Sequence, residues 1–147
     1  NPIPPKDNYY KKDLADWARY LDIEKNPTAV SPLNSVKSLR GAFVAIEEDK
    51  IGLYSGACFK AYWTDKRDIS QESELKELAI SVGMDGDAFI ERIGMDEIKK
   101  QLFVNTDEII ERGGFGSPTF FVNGDDMYFG NDRFELMRFA LTGKKTA

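Results

Sequence analysis

The chemistry of this chain is concentrated in Gly114-Phe115-Gly116-Ser117-Pro118-Thr119-Phe120-Phe121-Val122 and in Tyr128-Phe129-Gly130-Asn131-Asp132-Arg133. The first stretch reads as a glycine-marked helix end, a Ser-Pro bond and an apolar strand. The second reads as a strand, a glycine turn and a new helix start. Proline cannot donate to a sheet ladder, so Pro118 belongs at the first position of its strand. An X-Pro bond is the one place where a cis peptide costs little. A cis bond here would turn the preceding backbone outward and leave the N–H and C=O of Ser117 free for an extended ligand. Asn131 and Asp132 stand where a helix begins, and free N–H groups and the helix dipole favour a carboxylate there.

Other chemistries are excluded by composition. The chain has no histidine and one cysteine, so neither a Ser-His-Asp or Cys-His set nor a zinc site can be assembled from it. No metal ligand is assigned. Asp85-Gly86-Asp87 lacks the spacing of a calcium loop and reads as a helix N-terminus. The Gly-rich stretch precedes a strand, the reverse of a dinucleotide fingerprint. A net charge of −5 argues against a nucleic-acid partner. No apolar run approaches the ~18 residues of a membrane span, and no signal-peptide pattern opens the chain. A lone cysteine forms no internal disulfide, so a cytoplasmic setting is expected. Cys58 lies on an apolar helical stripe with no basic neighbour to activate it, and reads as core.

The elements that position these residues follow from periodicity. The spacing predicts helices over 8–22, from Asn34 or Ser35 with the stripe Val36, Leu39, Phe43 and Ile46, and over Ile51 to Trp63. A fourth helix from Ser70 should bury Leu75, Leu78, Ala79 and Val82 and stop at Gly83. Two more are predicted over 86–92 and 95–112, the latter striped by Ile98, Leu102, Ile109 and Ile110. Strands follow at Pro118–Val122 and Met127–Phe129, joined by the turn-rich Asn123-Gly124-Asp125-Asp126. The last helix should run from Asp132 to Leu141, with Asp132 and Glu135 in a capping-box relation. Asn1-Pro2-Ile3-Pro4-Pro5 reads as an extended loop. One hairpin and one helix are too little sheet for a stable two-layer fold, so a fragment of a longer domain is expected.

From Gly114 to Arg133 the chain resembles the thioredoxin-like family that contains 2-hydroxychromene-2-carboxylate isomerases and kappa-class glutathione transferases. Lys6-Asp7-Asn8-Tyr9 with Asp13-Leu14, Ser31-Pro32-Leu33-Asn34-Ser35 with Leu39-Arg40, and Phe59-Lys60-Ala61-Tyr62-Trp63 with Asp68-Ile69 are similar to further family segments. The resemblance implies an α/β fold, a DsbA-like thioredoxin domain with a large all-helical insertion, here without its N-terminal β-α-β unit. Residues 1–7 would be a loop of the thioredoxin-like domain, 8–112 the helical insertion and 113–147 the C-terminal β-β-α unit. The family's catalytic serine would lie upstream of this chain, so no residue here is assigned that role.

The resemblance implies glutathione-dependent cis-trans isomerisation of an aromatic 2-hydroxychromene-2-carboxylate-like substrate, or a kappa-type glutathione transferase. The thiolate of glutathione adds to a conjugated substrate, rotation follows, and elimination returns it unchanged. Ser117 and Pro118 would hold the cysteinyl part of the tripeptide, Asn131 and Asp132 the γ-glutamyl end, and Lys6 the glycyl carboxylate. Asn1 stands where the family carries a glutathione-binding asparagine, and Arg133 fits the motif as a local ion-pair partner. Tyr54, Phe59, Tyr62 and Trp63 read either as packing or as the wall of an aromatic-substrate pocket. The family is often dimeric, which makes a homodimer the implied assembly. The rival readings are a DsbA-like dithiol-disulfide oxidoreductase, which needs a Cys-x-x-Cys upstream, and a non-catalytic binding module.

Overall fold

The computed structural model describes residues 3–26 and 32–144. Seven helices and one hairpin follow in the order α1 (Pro4–Tyr20), α2 (Val36–Glu47), α3 (Ile51–Trp63), α4 (Glu72–Ser81), α5 (Gly86–Ile93), α6 (Asp96–Glu111), β1 (Thr119–Val122), β2 (Asp126–Phe129) and α7 (Phe134–Thr142). They form two compact units, Asn1–Lys99 and Lys100–Ala147, and α6 begins in the first and continues into the second.

The first unit is built on α2 to α5 and the start of α6. Its core gathers Val44, Ala45, Tyr54, Cys58, Ala61, Leu75, Leu78, Ala79, Phe89, Ile93 and Ile98. Tyr54 is its pivot. Its ring packs 5.4 Å from that of Phe89, and its hydroxyl donates to the Ser38 carbonyl at 3.2 Å. A buried phenol needs such an acceptor. α3 spans the residues that its periodicity indicated, and Gly83, at φ +81°, ends α4 as expected. At the start of α5 the Asp85 carboxylate accepts from the Asp87 and Ala88 amides, each at 2.9 Å, so Asp85-Gly86-Asp87 is a helix cap.

Several expectations are corrected. The loop placed at the first residues is helical from Pro4. Pro4 and Pro5 occupy the first turn, where their missing N–H groups would have no helical partner in any case. The second helix buries Ser38, Gly41, Val44 and Ala45, while Val36, Leu39 and Ile46 stay exposed. Close approach explains the change of face. A Cβ on Gly41 would collide with the Tyr54 hydroxyl and lie 2.5 Å from Phe89 Cζ, so a glycine lets both rings settle against the helix backbone. Asn34, one residue outside the N-cap Ser35, accepts from the Val36 amide at 3.1 Å. α4 starts at Glu72, because the Ser70 amide and hydroxyl both donate to Asp68. In α6 only Ile98 of the predicted stripe is buried.

The second unit holds the rest of α6, the hairpin and α7. β1 and β2 are antiparallel, pairing Thr119 with Phe129, Phe120 with Tyr128, Phe121 with Met127 and Val122 with Asp126. The turn between them takes Asn123 to φ +51° and Gly124 to φ +102°, the backbone that the Asn-Gly pair favours. Val122 and Met137 are buried, and Phe120 meets Phe134 edge-on at 5.6 Å.

Gly41→Ala is expected to destabilise the first unit by about 1–3 kcal/mol, the cost of overpacking a filled core. Urea unfolding followed by tyrosine fluorescence checks it, and an unchanged midpoint would contradict the packing described for Tyr54.

Candidate functional site

The site is built where α6 ends and the hairpin begins. The Gly113 amide donates to Ile110 at 3.0 Å and the Gly114 amide to Ile109 at 2.8 Å, a pair of bonds that closes the helix and releases the chain. Phe115 then stacks on Phe129 with ring centroids 4.7 Å apart, and Gly116 lies against the same ring. The Ser117–Pro118 bond that follows is cis, as the sequence indicated. The Pro118 carbonyl accepts from the Gly130 amide at 3.0 Å, which ties the cis-proline loop to the turn after β2.

Ser117 and Pro118 are exposed, and among the described residues no hydrogen bond occupies the Ser117 N–H or C=O. Gly130, at φ +109°, begins the turn that leads from β2 to Asn131 and Asp132. An Asp132 carboxylate oxygen would lie 2.8 Å from a Cβ at Gly130. The other oxygen accepts from the Arg133 guanidinium. The Asn131 side chain makes no hydrogen bond among the described residues.

The capping box expected of Asp132 and Glu135 does not form. α7 begins at Phe134, its N-cap is Arg133, and no side chain caps it. Asp132 is drawn away because the turn at Gly130 folds its carboxylate back and Arg133 holds it there. The first-turn N–H groups of α7 are therefore left without a side-chain acceptor, the arrangement that suits an incoming carboxylate.

Ser117, Pro118, Asn131 and Asp132 lie in the second unit, in the two loop segments that the Pro118–Gly130 bond ties together. Lys6 stands in the first turn of α1 in the first unit, exposed, with its ammonium 5.7 Å from the Tyr10 ring centroid. Asn1 lies outside the described residues. In α3, Tyr54 belongs to the core, whereas Phe59 and Trp63 face a hollow of about 590 Å³ shared with Leu14, Trp17 and Leu21 of α1 and its C-cap. Trp63 meets Tyr62 edge-on at 4.9 Å. Cys58 is buried, and burial pushes its thiol above the ordinary cysteine value, against a smaller opposing effect of the Tyr54 hydroxyl. Burial pushes the Tyr54 phenol up as well. Cys58 is a core thiol.

Sequence reasoning missed Arg112. Its guanidinium lies 3.6 Å from the Phe121 ring centroid, donates to the Gly124 carbonyl at 2.7 Å and pairs with Glu108 at 2.9 Å. One side chain thereby joins the end of α6 to the face and the turn of the hairpin. A basic residue directly after the helix end was the available signal, but it points equally to a simple dipole contact.

Among the described residues no cluster of three His, Cys, Asp or Glu side chains could hold a metal, and no helix is long and apolar enough to cross a membrane. Comparison with known proteins gives the family and the fold. The profile of the DSBA-like thioredoxin domain matches residues 1–142. The chain is 32% identical over 138 residues to a 2-hydroxychromene-2-carboxylate isomerase of Pseudomonas sp. (strain C18), covering 92% of this chain and 63% of that one. It is 30% identical over 136 residues to the protein of that name from Pseudomonas putida, covering 91% and 64%. The chain therefore spans less than two thirds of the length of these two relatives. A solved structure of selenomethionine 2-hydroxychromene-2-carboxylate isomerase superposes with a TM-score of 0.83 at 28% identity, over 96% of this chain and 70% of that one.

Two outcomes are expected. Arg112→Ala should speed amide hydrogen exchange along β1 and β2 about fivefold or more, since a cation–π contact and its hydrogen bonds contribute roughly 1 kcal/mol or above. Unchanged exchange would show that Arg112 does not hold the hairpin. Cys58 should react with a disulfide reagent at pH 8 at least about tenfold more slowly in the folded chain than in denaturant, because a buried neutral thiol is a poor nucleophile. Equal rates would show an open, activated thiol.

Proposed function

The chain belongs to the DSBA-like thioredoxin domain family, and from that premise we propose that it is the glutathione-binding part of a glutathione-dependent isomerase. The substrate class is an aromatic 2-hydroxychromene-2-carboxylate, by similarity to the relatives of that name. The observation that supports the reading is the joint between Pro118 and Gly130, which ties the Ser117 backbone, unbonded among the described residues, to the turn that leads to Asn131, Asp132 and a helix start with no side-chain cap.

These groups fit the tripeptide. The Ser117 N–H and C=O pair with the extended cysteinyl backbone as an added strand. The free amides at the start of α7 and the Asn131 side chain receive the γ-glutamyl carboxylate. Asp132 meets its ammonium group, a charge-assisted contact. Lys6 is assigned to the glycyl carboxylate as a point charge. Glutathione, when bound, supplies a thiol for reversible addition to the conjugated substrate. The hydrogen-bond donor that steadies this thiol is assigned to a serine of a preceding β-α-β unit. A dithiol oxidoreductase has no use for a γ-glutamyl site, so the Gly130-Asn131-Asp132-Arg133 turn favours the isomerase over that alternative.

Because Asp132 does not cap α7, its role can be separated from stability. Asp132→Ala is expected to weaken glutathione binding about tenfold in calorimetric titration, while changing stability by no more than about 0.5–1 kcal/mol. Unchanged affinity in the folded variant would remove Asp132 from the site. A polypeptide that joins this chain to a β-α-β unit carrying the thiol-steadying serine should isomerise 2-hydroxychromene-2-carboxylate only when glutathione is added. Equal rates without glutathione, or thiol-disulfide exchange in place of isomerisation, would overturn the reading.

A further inference from the structure

The seven arginines of the chain are Arg19, Arg40, Arg67, Arg92, Arg112, Arg133 and Arg138. Six of them face carboxylates. Arg19 pairs with Asp16, Arg67 with Glu74 and Glu77, Arg92 with Glu47, Arg112 with Glu108, Arg133 with Asp132 and Arg138 with Glu135. Arg40 pairs with none among the described residues, although the chain has 25 acidic side chains against 20 basic ones. Its Nε is sealed from solvent and has no hydrogen-bond partner. Among the described residues its outer nitrogens have no hydrogen bond or ion pair, and the side chain is only half-buried, which leaves one edge of the fork for an arriving group.

An unpaired guanidinium that is half-buried in an acidic protein is costly to keep. A buried N–H without an acceptor loses its water and gains nothing in return. Every other arginine in the chain avoids that cost by a local carboxylate. Arg40 lies in α2 just before Gly41, at the point where the helix is pressed against Tyr54 and Phe89, so its backbone position is fixed by the core.

We infer that Arg40 binds the carboxylate of the aromatic substrate through its unpaired guanidinium. This rests on the isomerase reading, which supplies a ligand that is both aromatic and a carboxylate. The planar fork matches a carboxylate in two parallel hydrogen bonds, a geometry that lysine cannot reproduce. Arg40 would then decide which aromatic compounds are accepted: acids are held, and neutral compounds of the same shape are not.

The test uses the full chain with salicylate as the probe and salicylamide as its neutral counterpart, following the arginine Nε–H signals by NMR. Salicylate should shift the Arg40 Nε–H signal in a saturable way, and salicylamide should leave it in place. Arg40→Gln should weaken salicylate binding by about tenfold or more, with Arg40→Lys recovering only part of the loss. The inference is overturned if the Arg40 signal stays fixed at saturating salicylate, or if salicylamide moves it equally. It is also overturned if the signal in the free chain already marks a guanidinium bonded to a protein carboxylate. Should Arg40→Gln fail to fold, the wild-type titration and Arg40→Lys still decide. An Arg40 shift, with no glutathione-dependent turnover by a polypeptide that holds both this chain and the thiol-steadying serine, would sink the isomerase reading alone. Turnover in an enzyme whose Arg40 ignores the carboxylate would sink this inference alone.

Discussion

The hydrogen bond from the Gly130 amide to the Pro118 carbonyl, 3.0 Å long, is the joint on which the candidate site depends. It extends the hairpin ladder by one bond past the last paired residues, Thr119 and Phe129. On one side of it the cis Ser117–Pro118 bond presents a free backbone. On the other, Gly130 takes a positive φ that few residues other than glycine tolerate, and begins the turn that carries Asn131 and Asp132. Neither loop could hold its ligand groups alone, because an exposed turn with no ladder bond is free to move. Together they share one rigid reference.

That reference is supported from the far end of the hairpin. Arg112 lies over Phe121 and reaches the Gly124 carbonyl, while Phe115 and Gly116 lean on Phe129. A two-stranded ribbon is marginal by itself. Here the chain leaving α6 is attached to it at its face, its turn and its open end. The same residues therefore hold the fold of the second unit and define the site.

Much of this arrangement was readable from residue types. Pro118 at a strand start, Asn123-Gly124 at a turn and Asp85 before an apolar helix each have a local cause, and each does what its local chemistry dictates. The extent of α3 followed from its apolar spacing. The failures have a common physical origin, since they depend on what lies opposite in space. α2 turned its small residues inward because the rings of Tyr54 and Phe89 needed room, which no pattern within α2 could reveal. Pro4 and Pro5 signal an extended chain or a helix start equally well, and the helix following them decided it. Asp132 has the spacing of a cap, yet Gly130 and Arg133 take its carboxylate elsewhere. Arg112 and Arg40 are ordinary surface arginines in the sequence. Only the structure shows that the first is fully engaged and the second is not.

The central claim is that the cis-proline loop and the turn after β2 receive glutathione together. Backbone amide NMR of the chain during titration with glutathione tests it most directly. The account predicts that the amides of Ser117, Asn131, Asp132, Phe134 and Glu135 shift along one binding curve with a single affinity. Shifts confined to other elements, or two unrelated curves for the two loops, would contradict it.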